Sequence, residues 1–156
     1  MIDSPIGPLT LTGWADVLTA CWFDGPGTSA DPATGRDRDD RAFADAVDQL
    51  AGYFDGRLRA FDLEVAPTGT EFQRRVWTSL CAIPYGETWS YGELAAHVGS
   101  PGGARAVGLA NGRNPVAVII PCHRVIGANG TLTGYAGGLD RKRALLDLEA
   151  GRPALL

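Results

Sequence analysis

The feature that most constrains this fold is a pair of helix-start signatures in the second half of the chain. Thr70-x-x-Gln73 and Ser90-x-x-Glu93 are capping boxes, in which a hydroxyl and a longer polar side chain satisfy backbone N–H groups reciprocally. After the first, Phe72, Val76 and Leu80 fall on one helical face, and Pro84 ends the run. After the second come Leu94, Ala95 and Val98, and Gly99 supplies a stop. Ser100-Pro101 then has the N-cap and first-turn chemistry of a further helix, expected to reach about Asn111. Two helices meeting across a tight Gly99-Ser100 turn outline a helix-turn-helix. That outline alone is weak evidence of DNA binding, since many all-helical proteins contain one.

The first half reads differently. Leu9 and Leu11 alternate with Thr10 and Thr12, and Val17–Phe23 follows a break at Gly13–Asp16. This is the pattern of a β-hairpin. Residues 24–40 are turn formers and charges without an apolar period, and are expected to be a mobile loop. Phe43, Val47, Leu50 and Phe54 share one face of a helix that Gly56 stops. Phe61, Leu63 and Val65 alternate as a third strand, and Pro67 to Gly69 form a linker. Further on, Val116–Ile120 reads as a buried strand, Asn129-Gly130 as a hairpin tip, and Asp140 as the cap of a last helix. The expected fold class is α+β. A small N-terminal α/β domain with a short antiparallel sheet (1–68) precedes a mainly helical domain with a winged helix-turn-helix (69–156).

Charge follows the same division. Residues 1–68 hold 5 Lys/Arg against 12 Asp/Glu, a net of −7. Residues 69–156 hold 9 against 6, a net of +3, and 8 of those 9 cations are Arg. Arg forks onto phosphate and stacks better than Lys does, so the second half is the one suited to an anionic partner. The bland alternative is that the acidic half only keeps the protein soluble. No apolar run approaches the length of a membrane span, and the N-terminus has neither the basic nor the apolar region of a signal peptide. Three Cys at positions 21, 81 and 122 argue against a disulfide framework and for a reduced, cytoplasmic protein. Two His and no paired Cys leave no four-ligand zinc pattern.

The chemistry concentrates in Ile119-Ile120-Pro121-Cys122-His123-Arg124-Val125. An apolar run delivers a Cys into a Pro-bounded bend beside a His and an Arg, and neighbouring cations lower a thiol's pKa. A buried Cys acting as a small hydrophobe is the alternative. It suits Cys21 in an apolar strand and Cys81 on the apolar side of its helix, and suits Cys122 poorly. Adjacent residues of an extended chain point to opposite faces. Cys122 and His123 can therefore cooperate only if the chain turns there or a water bridges them. Glu149, four residues after Leu145, lies on the inward side of the last helix and could orient His123. The alternative is a glutamate at the helix rim. Ala104 and Gly108 form a face almost without bulk, beside Arg105. That face suits either close helix packing in the core or docking into a nucleic-acid groove.

Taken together, Asn114-Pro115, Ile120-Pro121-Cys122-His123-Arg124-Val125-Ile126-Gly127 and Gly134-Tyr135-Ala136-Gly137-Gly138 resemble the active-site signature of the O6-alkylguanine-DNA alkyltransferases. The likeness runs back through Tyr85-Gly86-Glu87, Ser90-Tyr91 and Ala104–Gly108, and forward to Arg141–Glu149, nearly all of residues 70–150. Ser4-Pro5-Ile6-Gly7 is similar to the start of the family's N-terminal domain, and the rest of that half matches loosely.

The resemblance implies direct reversal of O6-alkylguanine, and of O4-alkylthymine, in a single-turnover suicide reaction. Cys122 would accept the alkyl group, His123 would be its base through a water, and Glu149 would hold His123. Asn114 would brace the turn. Tyr91 and Arg105 would extrude the nucleotide, and Tyr135 with the backbones of Val125 and Ala136 would line the base pocket. Ala104 and Gly108 would meet the minor groove. The implied partner is double-stranded DNA containing alkylated bases, bound by a monomer, with no cofactor and no metal. Two rivals stand beside this reading. A Cys-His hydrolase would turn over repeatedly on esters or amides without DNA, and a lesion binder or winged-helix regulator would need no cysteine.

Overall fold

The computed structural model describes residues 1–25, 39 and 41–153. β1 (Leu9–Trp14) and β2 (Val17–Phe23) pair antiparallel, from Leu9 opposite Phe23 to Trp14 opposite Val17. The register slips between Thr12 and Gly13. A Cβ on Gly13 would sit 1.9 Å from the Val17 carbonyl oxygen, so only glycine fits this irregularity. β2 does more than close the hairpin. Leu18 accepts from Ala66 N–H and donates to Glu64, while Cys21 donates to Pro115 and accepts from Ala117 N–H. The strand is thus bonded directly to the segment that leads to Cys122.

α1 (Ala44–Phe54) begins after Phe43, which takes a left-handed conformation at φ 59°. Its buried positions are Ala46, Leu50, Gly52 and Tyr53. The inward face is therefore rotated from the expected Phe43/Val47/Leu50/Phe54 stripe, of which only Leu50 is fully buried. The cause is Tyr53, whose ring packs edge-on to Phe54 and Tyr85 and tilts against Phe61. The expected third strand reduces to one bridge, Val65 with Leu18, along an extended segment.

Both capping boxes form. Thr70 opens α2 (Glu71–Leu80) and Ser90 opens α3 (Tyr91–Val98), each hydroxyl accepting from the backbone N–H three residues on. Gly99 ends α3 in the left-handed conformation. The next helix starts later than expected: Ser100–Gly103 is a turn, closed by Gly103 N–H donating to the Ser100 carbonyl. α4 runs Ala104–Gly112 from an N-cap at Gly103. β3 (Trp89–Ser90) and β4 (Val125–Ile126) pair in parallel, which fixes the helix pair to the chain just beyond Cys122.

Three further expectations are corrected. Val116–Ile120 is a turn, with one bridge at Val116 and Val118 at φ 70°, because Asn114 folds the backbone back on itself there. Asn129-Gly130 does make a turn, with Gly127 N–H donating to Thr131, but residues 131–132 are not a strand. α5 (Leu139–Glu149) has Gly138 as its N-cap, and Asp140 lies in its first turn without capping it. The mobile-loop expectation for 24–40 falls outside the described residues except at Asp24, Gly25 and Asp39. One hydrophobic cluster spans both halves, including Leu9, Leu18 and Leu50 from the first and Leu80, Leu94, Val107, Val125 and Leu145 from the second. No helix among the described residues is long and apolar enough to cross a membrane.

Each capping box holds a helix that frames the site. Thr70→Ala and Ser90→Ala should each lower the unfolding free energy by about 1 kcal/mol, read as a lower urea midpoint at unchanged m-value. An unchanged midpoint would show that tertiary packing alone sets these helix starts.

Candidate active site

Cys122, His123 and Arg124 form a short 3-10 turn, entered from Pro121 and left through β4. The bend resolves the objection that neighbours in an extended chain face apart. Asn114 builds the approach to it: its Nδ2 donates to the Ile120 carbonyl at 2.8 Å and its Oδ1 accepts from Val116 N–H at 3.0 Å. Asn111, buried on α4, reaches the Cys122 carbonyl at 3.4 Å through Nδ2.

Behind the turn, α5 presents Lys142, Leu145 and Glu149 inward, at i, i+3 and i+7. Glu149 is the hub. Its Oε1 lies 2.8 Å from His123 Nε2 and accepts from Tyr53 Oη at 2.7 Å and Arg124 Nη2 at 2.9 Å. Its Oε2 accepts from Arg124 Nε at 2.9 Å and Gly86 N–H at 3.2 Å. Gly86 sits at φ 81°, and a Cβ there would come within 3.2 Å of the Glu149 carbonyl oxygen. Arg124 completes its donors on the Ile83 carbonyl at 2.7 Å and lies over the Tyr85 ring.

Burial alone would raise the Glu149 pKa, but the hydrogen bonds from His123 and Arg124 outweigh it and hold the carboxyl at about 2. His123 is pushed down by burial, against the pull of Glu149, so its ring is neutral at pH 7. With Nε2 against the carboxylate, its Nδ1 is buried and has no hydrogen-bond partner among the described residues. A neutral imidazole that carries its proton on Nε2 keeps its lone pair on Nδ1. Burial also raises the Cys122 thiol, against lowering by Asn114 and by Lys142. Cys122 thus rests as a thiol.

This corrects one expectation: Arg124 acts on Glu149, and the cation that bears on Cys122 is Lys142. Lys142 is fully buried and donates to the carbonyls of Val125 at 2.6 Å and Thr133 at 3.0 Å. Cys81 is also corrected. It is the exposed C-cap of α2, whereas Cys21 is in the core as expected.

The remaining candidates fall on two sides of the turn. Tyr135 has a buried hydroxyl without a partner among the described residues, held in its protonated form by burial. Ala136 and Asn114 line a cavity of about 290 Å³ against β2. Tyr91 starts α3 and donates to the Thr133 carbonyl at 3.1 Å. On α4, Arg105 is exposed and Ala104 and Gly108 are half-buried. A Cβ on Gly108 would be 3.5 Å from the Tyr91 ring. Part of the small face therefore serves helix packing, the alternative left open by sequence. Tyr53, Arg124 as a Glu149 partner, and Lys142 escaped sequence reading. The inward register of Lys142 with Leu145 was the one available signal.

A buried thiol and a neutral histidine on one turn, locked to a helix pair that keeps one face in solvent, define a cysteine-centred site built beside a helix-turn-helix. Family models agree. The 6-O-methylguanine DNA methyltransferase DNA binding domain matches residues 71–151, and the ribonuclease-like domain of the same proteins matches 1–67. A methylated-DNA–protein-cysteine methyltransferase of Mycobacterium tuberculosis is 60% identical over 97% of this chain and 91% of its own length. One from Methanosarcina acetivorans is 51% identical over 96% of each. The structure of Mycobacterium tuberculosis OGT in complex with DNA superposes with a TM-score of 0.92 at 58% identity, covering 98% of this chain and 93% of that one. The chain belongs to the O6-methylguanine DNA methyltransferase family. The reaction of this family is direct-reversal DNA repair, in which an alkyl group passes from DNA to a cysteine of the protein.

The Glu149 cluster predicts how acid unfolds the protein. Its carboxyl falls from an ordinary 4.5 to about 2 in the fold, so its stabilisation is complete above pH 4.5 and is lost as pH drops toward 2. His123, whose folded pKa is lowered, loses stability in the same direction, beginning as pH falls through 6.5. Glu149→Gln leaves Arg124 buried without its counter-charge and should cost roughly 3–5 kcal/mol at pH 7. Denaturant titrations of the variant should also show a flatter response between pH 4.5 and 2. An unaltered acid response would remove Glu149 from its place as the hub.

Proposed function

We propose that Cys122 is the alkyl acceptor, with His123 as its base, Glu149 as the anchor of His123 and Asn114 as the brace of the turn. The observation that carries this reading is the unpartnered, buried Nδ1 of a neutral His123 next in sequence to a protonated thiol. The thiol proton passes to a water, which gives one of its own protons to Nδ1. Glu149 stabilises the imidazolium that forms. The thiolate attacks the alkyl carbon. A C–S bond forms, the C–O6 bond breaks, and its electron pair stays on O6. The buried Tyr135 hydroxyl is the donor suited to that developing charge, with backbone N–H groups beside it. Val125 and Ala136 present backbone to the base. Since the thiol is itself the acceptor, the reaction requires no cofactor and no metal.

A base inside a duplex cannot enter a closed pocket, so the nucleotide is flipped out, at a cost of a few kcal/mol that is least for a mispaired base. Arg105, exposed on α4, fills the gap in the stack, and Tyr91 helps expel the nucleotide. The face carrying Ala104 and Gly108 approaches the minor groove. We assign the division of labour to 1–68 and 69–156, a boundary supported by the charge switch and by family matches ending at 67 and starting at 71. The protein works as a monomer in the cytoplasm, where three free cysteines stay reduced. O6-alkylguanine is the main substrate and O4-alkylthymine a second. The product is a thioether, which lacks the activated bond that water cleaves in a hydrolase intermediate, so Cys122 is consumed.

Cys122→Ser should abolish methyl transfer from duplex O6-methylguanine while leaving DNA affinity within about twofold, since a buried thiol lies off the groove-facing surface. Joint loss of both would make Cys122 structural. In the same assay Arg105→Ala should slow repair of duplex DNA far more than reaction with the free base. Equal slowing on both would deny Arg105 its role in flipping.

A further inference from the structure

We propose that Tyr53, supplied by the N-terminal half, is a positioning residue for the His123 base, so that the relay is completed across the two halves of the chain. The inference rests on the reading of His123 as the base. Tyr53 lies on the last turn of α1 and is fully buried. Its hydroxyl proton is committed to Glu149 Oε1 at 2.7 Å. The same oxygen lies 3.5 Å from His123 Nε2. With its O–H directed at the carboxylate, Tyr53 can offer His123 only a lone pair. Nε2 is thereby faced by two acceptors, Glu149 Oε1 and Tyr53 Oη, and the ring carries its proton there. The free lone pair is left on Nδ1.

Tyr53 also limits how strongly Glu149 attracts a second proton onto the ring. Oε1 shares its charge among Tyr53, His123 and Arg124, and Oε2 serves Arg124 and Gly86. Other charged or titratable groups around this cluster are Lys142 on α5, Cys122 on the turn, and Tyr85 with Arg59 beside it. None of these donates to Glu149 Oε1. Removing the Tyr53 hydroxyl concentrates the carboxylate charge on His123 and favours imidazolium. A larger share of molecules then has Nδ1 already protonated and cannot accept the thiol proton. The ring of Tyr53 is held independently by Phe54, Phe61 and Tyr85, so loss of the hydroxyl alone leaves its packing in place.

The experiment uses the full chain and three proteins: unsubstituted, Tyr53→Phe and His123→Gln. Single-turnover methyl transfer from an O6-methylguanine duplex is followed as a function of pH, and the His123 ring is titrated by NMR. Tyr53→Phe should bind DNA normally. Its His123 titration and the acid limb of its rate profile should both move to higher pH, and its rate near neutrality should fall on the order of tenfold, less than removal of a general base outright. A Tyr53→Phe protein of lower stability with an unmoved pH profile and His123 titration would reduce Tyr53 to a packing residue and overturn the inference. An active His123→Gln protein would instead overturn the reading of His123 as base. If Tyr53→Phe does not fold, 3-fluorotyrosine placed at position 53, a stronger donor of nearly the same shape, should move the acid limb the opposite way. An unmoved limb there would be equally contrary.

Discussion

Everything around Cys122 depends on one carboxylate kept ionised out of water. Glu149 accepts from a guanidinium, a phenol and a backbone N–H, and faces an imidazole across 2.8 Å. An isolated carboxylate at this depth would be neutralised. Here the donors arrive from three places in the chain: α1, the bend at Gly86 and the turn at Cys122. The cluster is therefore a constraint on assembly as well as chemistry. Each donor can reach Glu149 only when its own element is correctly packed, so the polar centre and the hydrophobic cluster specify the same arrangement.

That constraint explains the place of the N-terminal half. β2 bonds through Cys21 to Pro115 and Ala117, immediately before the turn, and α1 delivers Tyr53 behind it. Arg141 adds a third tie, donating to the carbonyls of Ile6, Asp24 and Gly137 at once. The acidic half carries no nucleophile of its own in this scheme, yet it holds the loop on either side of Cys122. The basic half carries the helix pair, and β3 with β4 locks that pair to the same turn.

Local signals were legible where the physics is local. A capping box or a left-handed glycine acts within four residues, so α2, α3 and the stop at Gly99 could be read directly. The Cys122–Arg124 string and the inward register of Glu149 were legible for the same reason. Ser100-Pro101 misled because a turn and a helix start share their first residues, and the two glycines that follow favour the turn. Val116–Ile120 misled because an apolar run does not reveal that Asn114 will fold it back. Tyr53 was invisible because its partners lie 70 and 96 residues away, and an aromatic on a helix is ordinarily core. Cys81 was misplaced by its helical register, since the helix ends there and the face that register defines ends with it.

The central claim is that the thiol of Cys122, and no other, receives the alkyl group, once. The direct measurement is the mass of the intact protein and of its cysteine peptides after long incubation with excess duplex O6-methylguanine. The account predicts one added methyl per molecule, all of it on the peptide holding Cys122, with the peptides of buried Cys21 and exposed Cys81 unmodified. Methyl on Cys81, or continued loss of lesion with no mass gained by the protein, would contradict it.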